Sequence, residues 1–176
     1  MRVLKYILLA LLSLVVLFFL ISLILPTKYQ VSRSITIQAP IDSIYDNIID
    51  LNRWDRWVRW THEVDNTLKK TYELNANGEK VAFRWASEKF GTGKIHITKS
   101  VHNNLIEYNL LVNYERFSTK GKFTFVAAKE GIEVTWFNFG ELHDPISRYI
   151  GLFMDSMLGP DFEYGLKKLQ YILEKH

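Results

Sequence analysis

Five histidines are the residues of this 176-residue chain most able to do acid–base or metal chemistry, and their spacing supports neither. No two of them stand at a metal-ligand spacing on a helix, and the absence of cysteine excludes thiolate metal sites, disulfides and cysteine nucleophiles. His62-Glu63 and His143-Asp144 could each form an acid–base pair, but the side chains of sequence neighbours usually diverge. We expect both pairs at the surface, and the sequence predicts neither a metal site nor a cofactor.

Neither a glycine-rich stretch nor the charge balance indicates a site for phosphate groups or nucleic acid. Gly91-Thr92-Gly93-Lys94 superficially resembles a phosphate-binding loop. Such loops have four residues between the glycines and a serine or threonine after the lysine, so we interpret this stretch as a turn into a strand. The net charge of +3, from 22 basic and 19 acidic side chains, provides no charge-dense face, and nucleic acid is not an expected partner.

The clearest feature of the sequence is an apolar run over residues 7–25, interrupted only by two serines. As a helix this run would be about 28 Å long, which matches the hydrocarbon thickness of a bilayer. A cleaved signal peptide, the alternative, has a shorter apolar run followed by small residues, whereas this run ends at Leu25 and Pro26. We therefore predict a retained membrane anchor in residues 1–27, followed by one domain in residues 28–176.

The charges that flank the apolar run predict its orientation in the membrane. Arg2, Lys5 and the terminal amine lie before the run, and Lys28 and Arg33 lie after it. Because basic residues next to a span favour the cytoplasmic side, the N-terminus is predicted to be cytoplasmic. The domain of this single-pass membrane protein would then lie on the extracytoplasmic side.

The apolar pattern of the domain predicts an antiparallel sheet covered by a helix. Alternation predicts a first strand over residues 28–38, and three- and four-residue spacing predicts a short helix over residues 41–49. Short turns join the strands that follow, which are predicted over residues 68–75, 79–87, 93–101, 105–114, 117–126 and 132–139. A helix is predicted over residues 145–158, and another over residues 161–175 presents one apolar stripe that would cover the sheet, formed by Phe162, Leu166, Leu169 and Leu173.

Three tryptophans recur every three residues, at positions 54, 57 and 60. On a helix or tight turn Trp54, Trp57 and Trp60 would lie along one side and plug the core at the end of the sheet. Alternatively, together with the neighbouring arginines, they could guard a cavity mouth or rest at the membrane interface. Their spacing is compatible with each interpretation.

Several short motifs resemble those of the SRPBCC superfamily, in its polyketide cyclase/dehydrase-like branch. They are Ala39-Pro40, the run from Asp50 to Trp57 with Trp60, Trp85 with Gly91-Thr92-Gly93, Val134-Thr135-Trp136, and the run from Gly159 to Leu166. The resemblance implies the α+β helix-grip fold of START domains, in which a curved antiparallel sheet wraps around a long C-terminal helix. It also implies a hydrophobic cavity between sheet and helix, which in relatives accepts lipids, sterols or polyketides. The superfamily has no single catalytic constellation to transfer.

Alternation along the strands predicts which side chains would line that cavity. The inward face includes Val81, Phe83 and Trp85, and, on the following strands, Ile95 and Ile97. A pocket also needs a few polar groups that orient the ligand, and two tyrosine hydroxyls and one indole N–H are available. The predicted ligand-binding residues are Phe83, Trp85, Tyr108, Leu110, Tyr114, Phe123 and Trp136.

Three functional hypotheses follow from the sequence. The favoured one is a membrane-tethered binding domain that holds a hydrophobic small molecule or lipid between the sheet and the C-terminal helix. The second is a polyketide cyclase/dehydratase-like enzyme, which would need an ionisable group in the same cavity. The third is an interaction domain of a membrane assembly, in which side chains fill the space completely.

Overall fold

A computed structural model of the chain describes residues 2–113 and 117–175, and the described residues form one seven-stranded antiparallel sheet with the C-terminal helix packed on its concave side. The strand order across the sheet is β1-β7-β6-β5-β4-β3-β2. The strands are β1 Lys28–Ile37, β2 Lys69–Leu74, β3 Lys80–Ser87, β4 Gly91–Val101, β5 Leu105–Val112, β6 Phe117–Ala128 and β7 Gly131–Glu141. The helices are α1 Arg2–Ile24, α2 Ile41–Ile49, a 3₁₀ helix Arg53–Arg56, α3 Pro145–Gly151 and α4 Met154–Glu174.

The strands β2 to β7 follow one another across the sheet, as short turns require, and β1 pairs with β7 at the opposite edge. Most inward residues are apolar and most outward residues polar, so that, for example, Phe83 is buried while Arg84 is exposed. Gly78, with a φ of 79°, forms the turn between β2 and β3. The predicted α+β arrangement of a curved antiparallel sheet and a long C-terminal helix is confirmed.

The C-terminal helix is longer than predicted, because it begins at Met154 and continues through Pro160. A proline in a helix interior removes one backbone hydrogen bond, which is why the sequence predicted two separate helices here. The side chain of Arg33 in β1 bridges the two halves, with 2.7 Å from its Nη1 to Asp155 Oδ1 and 2.8 Å from its Nε to Glu163 Oε1. Gly159 provides the space for this guanidinium, since a Cβ atom there would lie 2.1 Å from Arg33 Nη2.

Two of the three tryptophans that were predicted to plug the core lie at its centre. Trp54 and Trp57 are fully buried, and their indole N–H groups donate to the carbonyl oxygens of Ile48 and Asn47 at the end of α2. Trp60 is half-buried and donates to Asp161 Oδ2 over 3.2 Å. The core-plug interpretation is therefore confirmed for the first two tryptophans.

The sheet has two ends that differ in what covers them. At the end where β1 begins and β7 ends, which we call the anchor end, α1 contacts α3. Tyr149 stacks on Phe18 with 4.5 Å between ring centroids, and its hydroxyl donates to the Phe18 carbonyl oxygen. At the other end, which we call the far end, β1 finishes and the β2–β3 turn lies near α2. The distance between the two ends is the length of a ten-residue strand, about 33 Å.

Candidate functional site

Six of the seven predicted ligand-binding residues lie among the described residues, and five of them are buried on the concave face of the sheet. The buried five are Phe83, Trp85, Tyr108, Phe123 and Trp136, and Leu110 is half-buried. Tyr114 lies outside the described residues. The structure thus brings the predicted aromatic side chains together in one cluster, and their contact with a ligand stays a prediction.

Side chains occupy the centre of the space between the sheet and α4. Trp136 of β7 stacks on Phe162 of α4, with 4.1 Å between ring centroids and an interplanar angle of 9°. The ring centroid of Trp57 lies 5.6 Å from that of Trp136, in edge-to-face geometry, and 5.1 Å from that of Trp54, in tilted geometry. Aromatic rings favour both arrangements. The middle of the predicted cavity is therefore an aromatic core rather than open space.

Two of the three polar groups predicted to orient a ligand are hydrogen-bonded to each other. The indole Nε1 of Trp136 donates to the hydroxyl oxygen of Tyr108 over 2.7 Å. Burial raises the pKa of Tyr108, so this hydroxyl stays protonated at neutral pH. A buried indole N–H needs an acceptor, and the hydroxyl oxygen of Tyr108 provides it.

A second polar cluster on the concave face was missed by the sequence analysis. The fully buried amide of Asn138 accepts from the Tyr29 hydroxyl over 2.7 Å and donates to Thr119 Oγ1 over 3.1 Å. Burial raises the pKa of Tyr29, so its hydroxyl remains a donor. An asparagine between Phe137 and Phe139 was the available sign, because alternation places it on the same face as Trp136.

Two glycines allow large aromatic side chains to lie flat across neighbouring strands. A Cβ atom at Gly121 would lie 2.0 Å from the Tyr108 ring, and one at Gly93 would lie 2.1 Å from the Trp85 ring. Because glycine has no Cβ atom, each of these positions allows an aromatic ring to approach the neighbouring strand closely. The stretch at residues 91–94 is the start of β4, as the sequence analysis interpreted it.

An open cleft of about 670 Å³ lies at the far end of the concave face, between the end of α2 and strands β2 to β4. Its apolar lining includes Ile49 of α2, Val81 of β3 and Ile97 of β4. Polar residues complete the lining, which also contains Asp50, Asn52, Asn75, Gly78, Glu79, Lys80, Thr98, Lys99 and Ser100. Neither this cleft nor a shallower one of about 590 Å³ beside Pro40 is lined by any of the six described residues predicted to bind ligand.

The position of α2, which forms one wall of the cleft, is fixed by its first turn. Asp42 accepts a hydrogen bond from Asn103 Nδ2 over 2.7 Å and lies 3.0 Å from His102 Nε2, both in the β4–β5 turn. These hydrogen bonds lower the pKa of Asp42. Asn103 has a φ of 57°, a left-handed conformation that asparagine tolerates better than most residues.

The charges around the cleft are unevenly paired. Asp50 forms an ion pair with Arg53 at 3.2 Å, and Glu79 accepts from Asn75 Nδ2 over 2.7 Å. Lys80 donates to the neutral amide oxygen of Asn52 and lies 3.9 Å from the centre of the Tyr72 ring. Within residues 2–113 and 117–175, neither Lys80 nor Lys99 has a carboxylate partner. The exposed Lys99 is therefore the cationic group best placed to face a ligand at this end, whereas Lys80 is held by Asn52 and Tyr72.

Both histidine pairs lie at the surface, as predicted. His62 is exposed, and the carboxylate of Asp144 caps α3 by accepting from the Ser147 backbone N–H over 2.9 Å. His143 is exposed and lies 3.7 Å from Glu141. Over the part of the chain that the structure describes, no group of three His, Asp or Glu side chains is arranged to hold a metal ion.

Solved structures similar to this chain share its fold at low sequence identity. A START superfamily protein from Mycobacterium smegmatis has a TM-score of 0.59 at 15% identity, covering 84% of this chain and 98% of its own. A Staphylococcus aureus protein of unknown function has a TM-score of 0.62 at 8% identity, covering 84% and 94%. The di-domain aromatase/cyclase StfQ of the steffimycin pathway has a TM-score of 0.63 at 11% identity, covering 85% of this chain and 51% of its own.

Sequence comparison identifies the family. No curated protein sequence matches the chain. Residues 28–174 match the family described as polyketide cyclase / dehydrase and lipid transport, and this match covers nearly the whole region from β1 to the end of α4. Together with the START-like neighbours, it confirms the resemblance predicted from the motifs: the chain belongs to the polyketide cyclase/dehydrase and lipid transport family.

Proposed function

We propose that this protein is a membrane-tethered binding domain for a hydrophobic small molecule or lipid, and that the ligand occupies the far-end cleft. The observation that carries the proposal is the cleft itself, about 670 Å³ in volume, on the same concave face that the sequence analysis assigned to a cavity. Cavities of roughly 300–1,000 Å³ are typical of small-molecule sites. The family description, which includes lipid transport, supports the same class of ligand.

The lining of the cleft favours an amphipathic ligand with an anionic or strongly polar head. Ile49, Val81 and Ile97 provide an apolar surface for the hydrophobic part of the molecule. Lys99 is exposed and available to the head, and Lys80 would exchange its hydrogen bond with Asn52 for one with the head. Asp50 already has Arg53 as its partner, and Glu79 accepts from Asn75. Attraction between a lysine and an anionic head is stronger in a partly enclosed cleft than in open water.

The proposed site lies at the other end of the strands from α1. Helix α1 has 23 residues, is long and apolar enough to cross a membrane, and is exposed along nearly all of its length. With this helix in a bilayer, the cleft would open toward the aqueous phase. The ligand would then exchange with solution or with a soluble partner. The orientation with the domain on the extracytoplasmic side stays part of this proposal.

Native mass spectrometry of the full chain, extracted from the cells that make it, tests the proposed site. We expect a co-purifying small molecule on the unmodified chain. Val81→Phe would place a ring in the cleft and is expected to reduce the bound fraction several-fold. The matched control is Val126→Phe, because Val126 is exposed on β6 and does not line the cleft.

Two results would contradict the proposed function. The first is an unmodified chain that carries no small molecule. The second is equal occupancy in Val81→Phe and in the unmodified chain, which would place the molecule elsewhere. Lipids that adhere to α1 are not confused with the ligand, because Val81→Phe leaves that helix unchanged.

One observation favours a second candidate function. The aromatic core fills the middle of the space between sheet and α4, as expected for an interaction domain of a membrane assembly. In that case the far-end cleft would contact a protein partner, and native mass spectra would contain no small molecule.

The cyclase/dehydratase alternative rests on the family description. Arg33, the charged side chain between β1 and α4, is neutralised by Asp155 and Glu163.

A further inference from the structure

Helix α3 contacts α1 inside its apolar run, well before the end of the helix. The contacts are the stacking of Tyr149 on Phe18 and a 2.8 Å hydrogen bond from Arg148 Nη1 to the carbonyl oxygen of Ser22. At 1.5 Å per residue, Phe18 lies about 10 Å along the helix from Leu25, where the apolar run ends. Any bilayer that covers the whole run therefore also reaches the level of α3.

The segment from α3 to the first turn of α4 exposes large apolar side chains at that level. Twelve large hydrophobic residues outside α1 are exposed among residues 25–113 and 117–175, and five of them fall between residues 146 and 157. The others are spread singly over the rest of the domain. The five, which we call the anchor-end patch, are Ile146, Ile150, Leu152, Phe153 and Met157.

We propose that the anchor-end patch inserts into the same bilayer leaflet as the second half of α1, so that the domain is fixed against the membrane rather than hanging from it. The inference rests on the proposed membrane anchor. Interfacial helices typically bury their apolar face roughly 5–10 Å into the boundary between headgroups and acyl chains, which agrees with the depth set by the contact at Phe18.

The surroundings of the patch fit a lipid surface. Polar groups border it at the level where headgroups would begin: Lys28 and Glu141 form an exposed ion pair at 3.4 Å, and His143 is also exposed. The guanidinium of Arg148 donates to the carbonyl oxygens of Ser22 in α1 and of Leu142 between β7 and α3, and arginines hold their charge in this way close to a membrane interface. A lipid occupant is favoured over a protein because the patch is continuous with the exposed apolar surface of α1.

Insertion at two places would fix the tilt of the domain. One helix leaves the domain free to rotate about its linker, whereas a second contact beside it holds the strands at a constant angle. The far-end cleft would then be held away from the headgroups. This arrangement gives the short connection between Ile24 and Lys28 a role in orientation as well as in attachment.

Spin labelling of the full chain in vesicles of phosphatidylcholine and phosphatidylglycerol tests the inference. The chain has no cysteine, so each single-cysteine variant carries one nitroxide. The test positions are Phe153→Cys and Ile146→Cys, whose side chains are 60% and 63% exposed in the protein alone. The matched references are Leu12→Cys in α1, at 59%, and Val126→Cys in β6, at 56%.

Collision of the labels with oxygen, which concentrates in lipid, is compared with collision with a water-soluble nickel complex. We expect labels at positions 146, 153 and 12 to favour oxygen several-fold more than the label at position 126. A lipid-exposed label at 12 with water-exposed labels at 146 and 153 overturns the inference alone. Labels at 146 and 153 that are shielded from both reagents indicate a protein contact and also overturn it. A water-exposed label at position 12 overturns the membrane anchor itself.

Discussion

The two ends of the sheet present opposite surfaces, although the same seven strands build both. The anchor end exposes a cluster of apolar side chains beside α1, and its polar groups lie at the border of that cluster. The far end has a cleft whose lining combines apolar side chains with charged ones. An exposed apolar patch suits a surface that is itself apolar, whereas an apolar cleft with a polar border suits a small molecule that arrives through water.

The aromatic core between the two ends separates their environments. Trp54, Trp57, Trp136 and Phe162 are packed together between the sheet and the helices, so a ligand in the far-end cleft has no open route toward the anchor end through this cluster. The chain thus has the helix-grip fold, and the centre of this fold is a packed aromatic core. The predictions below test whether the middle is solid and whether each end behaves independently.

The largest effect is expected for Phe162→Ala, which removes the ring that stacks on Trp136. Phe162 is almost fully buried, and truncation of such a ring leaves a cavity that costs about 3–5 kcal/mol of unfolding free energy. Urea unfolding of the full chain in detergent, followed by tryptophan fluorescence, measures the loss.

The exposed Tyr164 on the same helix provides the control, because Tyr164→Ala is expected to cost less than about 0.5 kcal/mol. A loss below about 1 kcal/mol for Phe162→Ala would mean that the middle is loosely packed and able to admit a ligand. In that case the contrast between a closed centre and an open far end would be wrong.

The fold could be predicted from the sequence because its elements have strong periodic patterns. Alternation fixed the inward faces of β3 and β4, and the apolar stripe with Phe162, Leu166 and Leu169 identified the helix that covers the sheet. The extension of α4 through Pro160 could not be predicted from the local pattern, and the side chain that bridges Asp155 and Glu163 on either side of the proline is Arg33. That side chain lies 130 residues before Glu163 in the sequence, and nothing in the local pattern links the two.

The candidate site was harder to predict than the fold, because alternation shows which side chains point inward but not how much space they fill. Trp136 and Tyr108 were correctly placed on the concave face, yet no local pattern indicates that they form a hydrogen bond with each other. Val81 and Ile97 were assigned to the same face and left out of the predicted site, although they line the cleft. The position of α2 decides where the concave face stays open, and that position is set by long-range contacts of Asp42.

A smaller effect is expected for Gly121→Ala, which tests how tightly the middle is packed beside β6. The new methyl carbon would lie 2.0 Å from the buried Tyr108 ring, so the ring or the strand must move. Overpacking of this kind costs about 1–3 kcal/mol, again measured by urea unfolding.

A double-mutant cycle with Tyr108→Ala shows whether the clash is the cause. With the ring removed, the added methyl group is expected to cost much less than it does in the presence of Tyr108. If Gly121→Ala costs the same in both backgrounds, then the loss comes from the strand backbone and not from the packing of the core.

The smallest effect is expected at the anchor end, where Asp65 lies in the loop before β2 and attaches this loop to the β3–β4 turn. Its carboxylate accepts from the Thr67 hydroxyl over 2.6 Å, from the Lys89 backbone N–H over 3.0 Å, and from the Ser87 hydroxyl. These hydrogen bonds, that from Ser87 most of all, hold the pKa of Asp65 well below its usual range. A lowered pKa in the folded state stabilises the protein above the pKa of the unfolded chain, about 3.9, and this contribution is lost as the pH falls further.

Replacement of this residue should therefore have a pH-dependent effect that is confined to one loop. Asp65→Asn is expected to lower the melting temperature at about pH 7, and the difference from the unmodified chain should shrink at about pH 3, because Asp65 of the unfolded chain is then largely protonated and part of the stabilisation from its lowered pKa is lost. Circular dichroism of the full chain at both pH values measures this, with Asp46→Asn on the exposed side of α2 as the charge-matched control. An equal difference at both pH values would assign the loss to altered packing, and a concurrent loss of ligand from the far-end cleft would show that the two ends are coupled.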